Sequence, residues 1–141
     1  MYTLRAEAHF DSAHFLKGYV GKCSNIHGHR WRIVAEIRSD SLIESGEKRG
    51  MVVDFGDLKS DLKAIADELD HCLIYETGSL SEKLVCALKE EGFRLIEFPF
   101  RPTAECFARY IFDKMADIGY NMKSLTVYET PDNCAVYGEE L

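Results

Sequence analysis

No stretch of the 141 residues approaches the roughly 18 consecutive apolar positions of a membrane-spanning helix. The first residues, MYTLRAEAHFDS, mix charge with small side chains and lack the apolar core of a signal peptide. Basic charge is not in excess either: 17 Lys and Arg stand against 24 Asp and Glu, for a net charge of −7. That balance argues against a general nucleic-acid binder, although a few local cations suffice to hold an anionic small molecule. There is no Cys-x-x-Cys pair. The five cysteines (Cys23, Cys72, Cys86, Cys106 and Cys134) are odd in number and widely spaced, which fits reduced thiols in a cytoplasmic protein better than a disulfide framework. Linkers, low-complexity tracts and internal repeats are missing, so residues 1–141 read as one domain.

What is present is patterned. From Tyr2 to His14 the even positions (Leu4, Ala6, Ala8, Phe10, Ser12, His14) alternate with Arg5, Glu7, His9 and Asp11, the period of a half-buried strand. A second alternation runs through His27, His29, Trp31, Ile33, Ala35 and Ile37. Asp54 is placed to cap a helix carrying Phe55, Leu58, Leu62, Ile65 and Leu69 on one stripe. Ser79 and Glu82 have capping-box spacing before a short helix that Gly92 closes. A short strand over 93–98 stops at Pro99, and Pro102-Thr103 opens a third helix with Phe107, Tyr110, Ile111 and Ile118 at helical spacing. Leu125, Val127 and Glu129 alternate on another strand, which turns through Pro131-Asp132-Asn133 into CAVYG. Strand pair, helices, strand pair is the order of an α+β fold on an antiparallel sheet.

The chemistry concentrates in CSNIHGHR, residues 23–30. His27 and His29 lie on the apolar face of their strand, because a strand returns to one face every two residues. If the first two strands pair antiparallel, His14 meets them. Three neutral imidazoles suit Zn²⁺ with a fourth position open. The competing reading is a pair of ordinary core or surface histidines; His14 at matching parity tips the balance to metal. HGHRWR lacks the following Asp-His of an HxHxDH hydrolase, and Gly28 leaves room for another group between the ligands. Cys23 sits in a polar loop with Lys22, Ser24 and Asn25, surroundings that favour a thiolate acting as base or nucleophile, against the bland alternative of a small buried hydrophobe. Asp70-His71 is either helix-end charge or a carboxylate orienting a proton-transferring imidazole. Glu129, at inward parity, needs a partner: a structural cation or a ligand with paired N–H donors.

Taken in order, FDSAH (10–14), Cys23 before HGH (27–29), GMVVDF (50–55), LDH (69–71), PTAE (102–105) and VYET (127–130) resemble the 6-pyruvoyl tetrahydropterin synthase family over nearly the whole chain. The three-residue gap between Cys23 and His27 resembles its bacterial, 6-carboxy-forming branch. The resemblance implies a tunnelling fold, with subunits joined edge to edge into a trimeric barrel, two trimers stacked as a hexamer, and active sites at subunit interfaces. It implies a lyase acting on 7,8-dihydroneopterin triphosphate, releasing acetaldehyde and triphosphate to leave 6-carboxy-5,6,7,8-tetrahydropterin on the way to queuosine. Within the same family stand 6-pyruvoyl formation and side-chain cleavage of dihydroneopterin; outside catalysis stands a zinc- or pterin-binding module. By resemblance His14, His27 and His29 bind zinc, Cys23 is the base, and Asp70 with His71 forms a second proton-transfer pair. Glu129, Thr103 and Glu105 then hold the pterin, while Lys22, Arg30, Arg32 and Arg101 are candidates for the triphosphate on charge alone. Two departures stand out: Cys106 where the family has asparagine, and a long connection over 72–101.

Overall fold

The computed structural model describes residues 1–138. Its longest feature is a two-stranded ribbon. β1 (Tyr2–His14) and β2 (His27–Ser39) pair antiparallel without a break from Tyr2↔Ser39 to His14↔His27. Alternation is the cause: Ala6, Phe10, Ser12 and His14 are buried along β1, and Trp31, Ile33, Ala35 and Ile37 along β2. A shift of one residue would turn both sets to solvent, so the core specifies the register.

β5 (Met122–Thr130) adds antiparallel to β2, and β6 (Asn133–Gly138) to β5. On the other flank the order extends through β3 (Leu73–Glu76) and β4 (Leu95–Phe98), giving β4-β3-β1-β2-β5-β6. The antiparallel part is therefore four strands. The sequence pattern does not predict β3, and both it and β4 pair in parallel at this edge. The long connection over 72–101 is thus a strand–helix–strand excursion stitched onto the sheet.

α1 (Phe55–Glu68) packs on β1, and α3 (Ala104–Ile118) on β5 and β6. Asp54 caps α1 by accepting from the N–H groups of Gly56 and Asp57, and Thr103 caps α3 by accepting from Cys106 N–H. Each such cap is worth about 1 kcal/mol. Between helices and sheet lie Leu58, Leu62, Ile65, Phe107, Ile111 and Met115 against Phe10, Trp31 and Leu125. The expected stripes lose their end members: Phe55 and Ile118, the terminal residues of α1 and α3, stay exposed beyond the packed span. α2 (Glu82–Glu90) starts two residues later than the capping-box spacing implied. Ser81 caps it through Leu84 N–H, while the Ser79 hydroxyl donates to the Glu76 carbonyl in the preceding turn. α2 buries none of its residues.

Candidate metal centre and active site

The inner face at the end of the β1–β2 ribbon presents three tiers: Phe10 opposite Trp31, Ser12 opposite His29, and His14 opposite His27. The imidazoles of His14, His27 and His29 offer ligand atoms all within 4.8 Å of one another. Backbone carbonyls set two of the rings. His14 Nδ1 lies 2.7 Å from the Pro102 oxygen, and His27 Nδ1 lies 2.6 Å from the Asn25 oxygen. A carbonyl only accepts, so Nδ1 carries the proton in both rings and Nε2 is left with a lone pair. Trp31, fully buried, packs edgewise on His14 and His29 at 5.0 and 5.2 Å between ring centres.

Among the described residues, the buried side-chain nitrogens and oxygens without a hydrogen-bond partner all lie here: the three histidine Nε2 atoms, Ser12 Oγ and Trp31 Nε1. Burying a polar atom unpaired is costly. Three Nε2 atoms orphaned together, two of them on rings oriented through their other nitrogen, are what a metal ligand set with outer hydrogen bonds requires. The residues fit Zn²⁺ as three-nitrogen ligation with an open position. Burial, reinforced by the neighbouring imidazoles, lowers the His14 pKa to about 4, against the opposing pull of the Pro102 carbonyl. It lowers that of His29 too, against the opposing pull of Glu129. Both rings are therefore neutral and ligand-competent at neutral pH.

Glu129 joins this cluster, with Oε1 3.5 Å from His29 Nε2. It reaches there on an irregularity: pairing passes from Tyr128↔Cys134 to Thr130↔Asn133, leaving Glu129 as the extra residue of a bulge, a feature that re-aims a side chain. His29, Glu129, Gly28, Tyr128, Arg30 and Arg32 line a cavity of about 540 Å³, within the range of small-molecule sites. Arg32 stacks on Tyr128 at 3.9 Å and pairs with Glu7. Arg101 donates to the Lys17 carbonyl, and neither it nor Lys22 lines this cavity. A Cβ on Gly28 would meet only Ser12 O at 3.6 Å, so no close approach demands glycine there.

Cys23 lies half-buried on a 3₁₀ turn, Lys22–Ser24, four residues before His27. Gly21 at φ 153° opens the turn, where a Cβ would strike the Tyr19 ring at 2.8 Å. Asn25 bonds back to the Lys22 carbonyl through both its backbone and its side chain while its own carbonyl holds His27. The thiol-bearing turn and the ligand are thus tied through one residue. Thr103 caps α3, and Glu105 is exposed in its first turn. The contribution of this segment that spacing did not reveal is the Pro102 carbonyl on His14.

Asp70 and His71 form a separate cluster with Asp11. Asp70 Oδ2 accepts from His71 Nδ1–H at 2.7 Å, and Oδ1 accepts from Asp11 N–H at 2.8 Å. The Asp11 N–H first, and His71 next, hold the Asp70 carboxyl below its usual pKa. The His71 side chain is 79% exposed. Among the described residues, no hydrogen bond or ion pair joins this pair to the histidine cluster or to Cys23.

A sequence profile described as 6-pyruvoyl tetrahydropterin synthase matches residues 3–140. The chain is 39% identical to a 6-carboxy-5,6,7,8-tetrahydropterin synthase of Haemophilus influenzae, covering 99% of this chain and all of the relative. It is 31% identical to one of Synechocystis, covering 97% and 93%. Two solved structures share the fold at lower identity. An uncharacterized protein of Wolinella succinogenes has a TM-score of 0.79 at 20% identity, and 6-pyruvoyltetrahydropterin synthase of Plasmodium vivax has 0.71 at 18%, each covering 99% of this chain and 98% of the other.

Proposed function

The chain belongs to the 6-pyruvoyl tetrahydropterin synthase family, and on that premise we propose that it is a zinc-dependent lyase. It converts 7,8-dihydroneopterin triphosphate and water to 6-carboxy-5,6,7,8-tetrahydropterin, acetaldehyde and triphosphate, in the cytoplasmic route to queuosine. The observation that carries this reading is the set of three orphaned Nε2 atoms of His14, His27 and His29, with Glu129 at 3.5 Å, beside a cavity of pterin size.

His14, His27 and His29 would hold zinc, which would supply Lewis acidity toward the oxygens of the substrate side chain and so make the adjacent C–H bonds more acidic. Around it the chain's own groups act. Glu129 accepts hydrogen bonds from the amino and ring N–H groups of the pterin, and by the family resemblance Thr103 and Glu105 at the start of α3 add contacts to it. Cys23, as thiolate, takes a proton from the substrate side chain. His71 moves a second proton at Nε2, while Asp70 fixes its Nδ1–H and stabilises the charged ring.

The two clusters are separate within one chain, and among the described residues β4 and β6 end the sheet with no strand on their outer edges. This supports a homo-oligomer, a hexamer of two trimers, in which Asp70 and His71 serve a site shared between subunits. Zinc-loaded protein incubated with 7,8-dihydroneopterin triphosphate should release acetaldehyde and triphosphate in equal amounts, with a pterin of the 6-carboxy mass. A 6-pyruvoyl mass without acetaldehyde would place the chain with the other branch, and no turnover would leave a binding module.

A further inference from the structure

Arg94, just before β4, hydrogen-bonds from the 72–101 excursion to the Asp70–His71 turn. Its Nη1 donates to the Asp70 carbonyl and its Nη2 to the Glu68 carbonyl. The Glu68 oxygen belongs to the last residue of α1, where carbonyls have no N–H of the helix to accept from, and the Asp70 oxygen lies two residues beyond it. The backbone closes the clasp: Leu73 N–H donates to the Arg94 carbonyl at 3.0 Å.

Inside the clasp is His71 at φ 51°, among the described residues the one non-glycine with positive φ. That region is sparsely populated for a residue with a Cβ, so the surroundings must impose it. On one side β1 does so: His71 N–H donates to Asp11 O at 2.6 Å, and Ala13 N–H donates to Cys72 O at 2.9 Å. On the other side stands Arg94. The His71 ring is 79% exposed at the rim of a cavity it shares with Leu88, Phe93 and Leu95, so its aim rests largely on the backbone at 70–71 and on the hydrogen bond to the Asp70 carboxylate. A guanidinium suits this task because its planar fork spans two carbonyls at once, and its charge faces the negative end of α1.

We propose that Arg94 is a positioning residue for the Asp70–His71 pair, coupling the 72–101 excursion to proton transfer at His71 Nε2. This rests on the reading that the pair serves the reaction. The fork holds the Asp70–His71 peptide in its left-handed turn, and that turn keeps the carboxylate between Asp11 N–H and His71 Nδ1–H.

Arg94→Met keeps the aliphatic stem and removes the donors; Arg94→Lys keeps one donor and the charge. In Arg94→Met, kcat should fall roughly tenfold or more with KM shifted less than about twofold, and bound zinc should stay unchanged. Arg94→Lys should recover part of the loss. Hydrogen exchange of the Asp11 and His71 amides should quicken about tenfold or more in Arg94→Met, measured against core amides of β2 that do not change. Wild-type kcat in Arg94→Met, or a loss that tracks zinc or global unfolding, overturns the proposal; if Arg94→Met does not fold, an Arg94→Lys variant without either effect does so. Should the wild type make no product, the lyase reading fails by itself, and unchanged Asp11 and His71 exchange in Arg94→Met would still overturn the positioning role.

Discussion

His14 and Pro102 stand 88 residues apart, yet the imidazole Nδ1 of one meets the carbonyl oxygen of the other at 2.7 Å. The contact ties the end of β1 to the start of α3, and it decides which nitrogen of His14 is free. A proline supplies the acceptor without a backbone N–H of its own.

The same burial gives the metal-free protein a pH-dependent stability. The folded chain protonates His14 only near pH 4, against 6.5 for an unperturbed imidazole. Between these values the unfolded chain binds more protons, so stability falls as pH drops through the window and levels below it. The loss from this residue is at most about 3 kcal/mol. Urea unfolding of chelator-treated protein at pH 7 and pH 4.5 should show it, and His14→Gln should reduce the slope, leaving the part that His29 contributes in the same direction.

Cys23 and His27 are four residues apart but separable in role. His27→Ala should lose most bound zinc, because it deletes one of three ligands. Cys23→Ala should keep zinc and lose turnover by roughly 10²-fold or more, the scale of a positioned proton-transfer group. Metal analysis beside the acetaldehyde assay decides this; equal zinc loss in the two variants would make Cys23 a ligand.

Asp70→Asn tests the charge of the dyad with little change of shape. The amide oxygen can still accept from Asp11 N–H, but its NH₂ then faces His71 Nδ1 as a donor and favours the opposite tautomer. Turnover should fall roughly 10²- to 10⁴-fold with zinc unchanged. A variant within twofold of wild type in kcat would return Asp70 and His71 to helix-end chemistry.

The ribbon and its histidine cluster are legible in the chain because period-two alternation along both strands leaves one register that buries both apolar sets. His14, His27 and His29 ride on that register, so the pattern that predicts the strands also predicts the cluster. β3 is different: LIYE is short, does not alternate, and is a strand because Ala13 and Leu95 flank Leu73 on either side. The bulge that aims Glu129, the Pro102 carbonyl on His14 and the reach of Arg94 to Asp70 are tertiary events with no local signature. Ser79 and Ser81 both offer a capping hydroxyl, and the turn over 76–79 claims the first.

Tyr120 and Asp61 supply a control far from any proposed chemistry. The Tyr120 hydroxyl donates to Asp61 Oδ2 at 2.5 Å, and burial together with this carboxylate pushes the phenol pKa up. Tyr120→Phe should lower stability by about 1 to 3 kcal/mol, the worth of a hydrogen bond to a charged group. Kinetic constants and zinc content should not move. Thermal unfolding paired with the acetaldehyde assay separates stability from function.

Glu129 Oε1 stands 3.5 Å from His29 Nε2, and under the proposed function it has to offer its oxygens to the pterin without becoming a ligand. Glu129→Gln keeps the shape but removes the charge and one acceptor. Losing a charge-assisted hydrogen bond costs about 1.5 to 3 kcal/mol, which corresponds to roughly 10- to 150-fold in affinity. Titration of the zinc-loaded variant with 7,8-dihydroneopterin should show that weakening, with the metal retained. Zinc loss at unchanged pterin affinity would instead make Glu129 part of the ligand set, and the bulge at 128–130 would then serve the metal rather than the substrate.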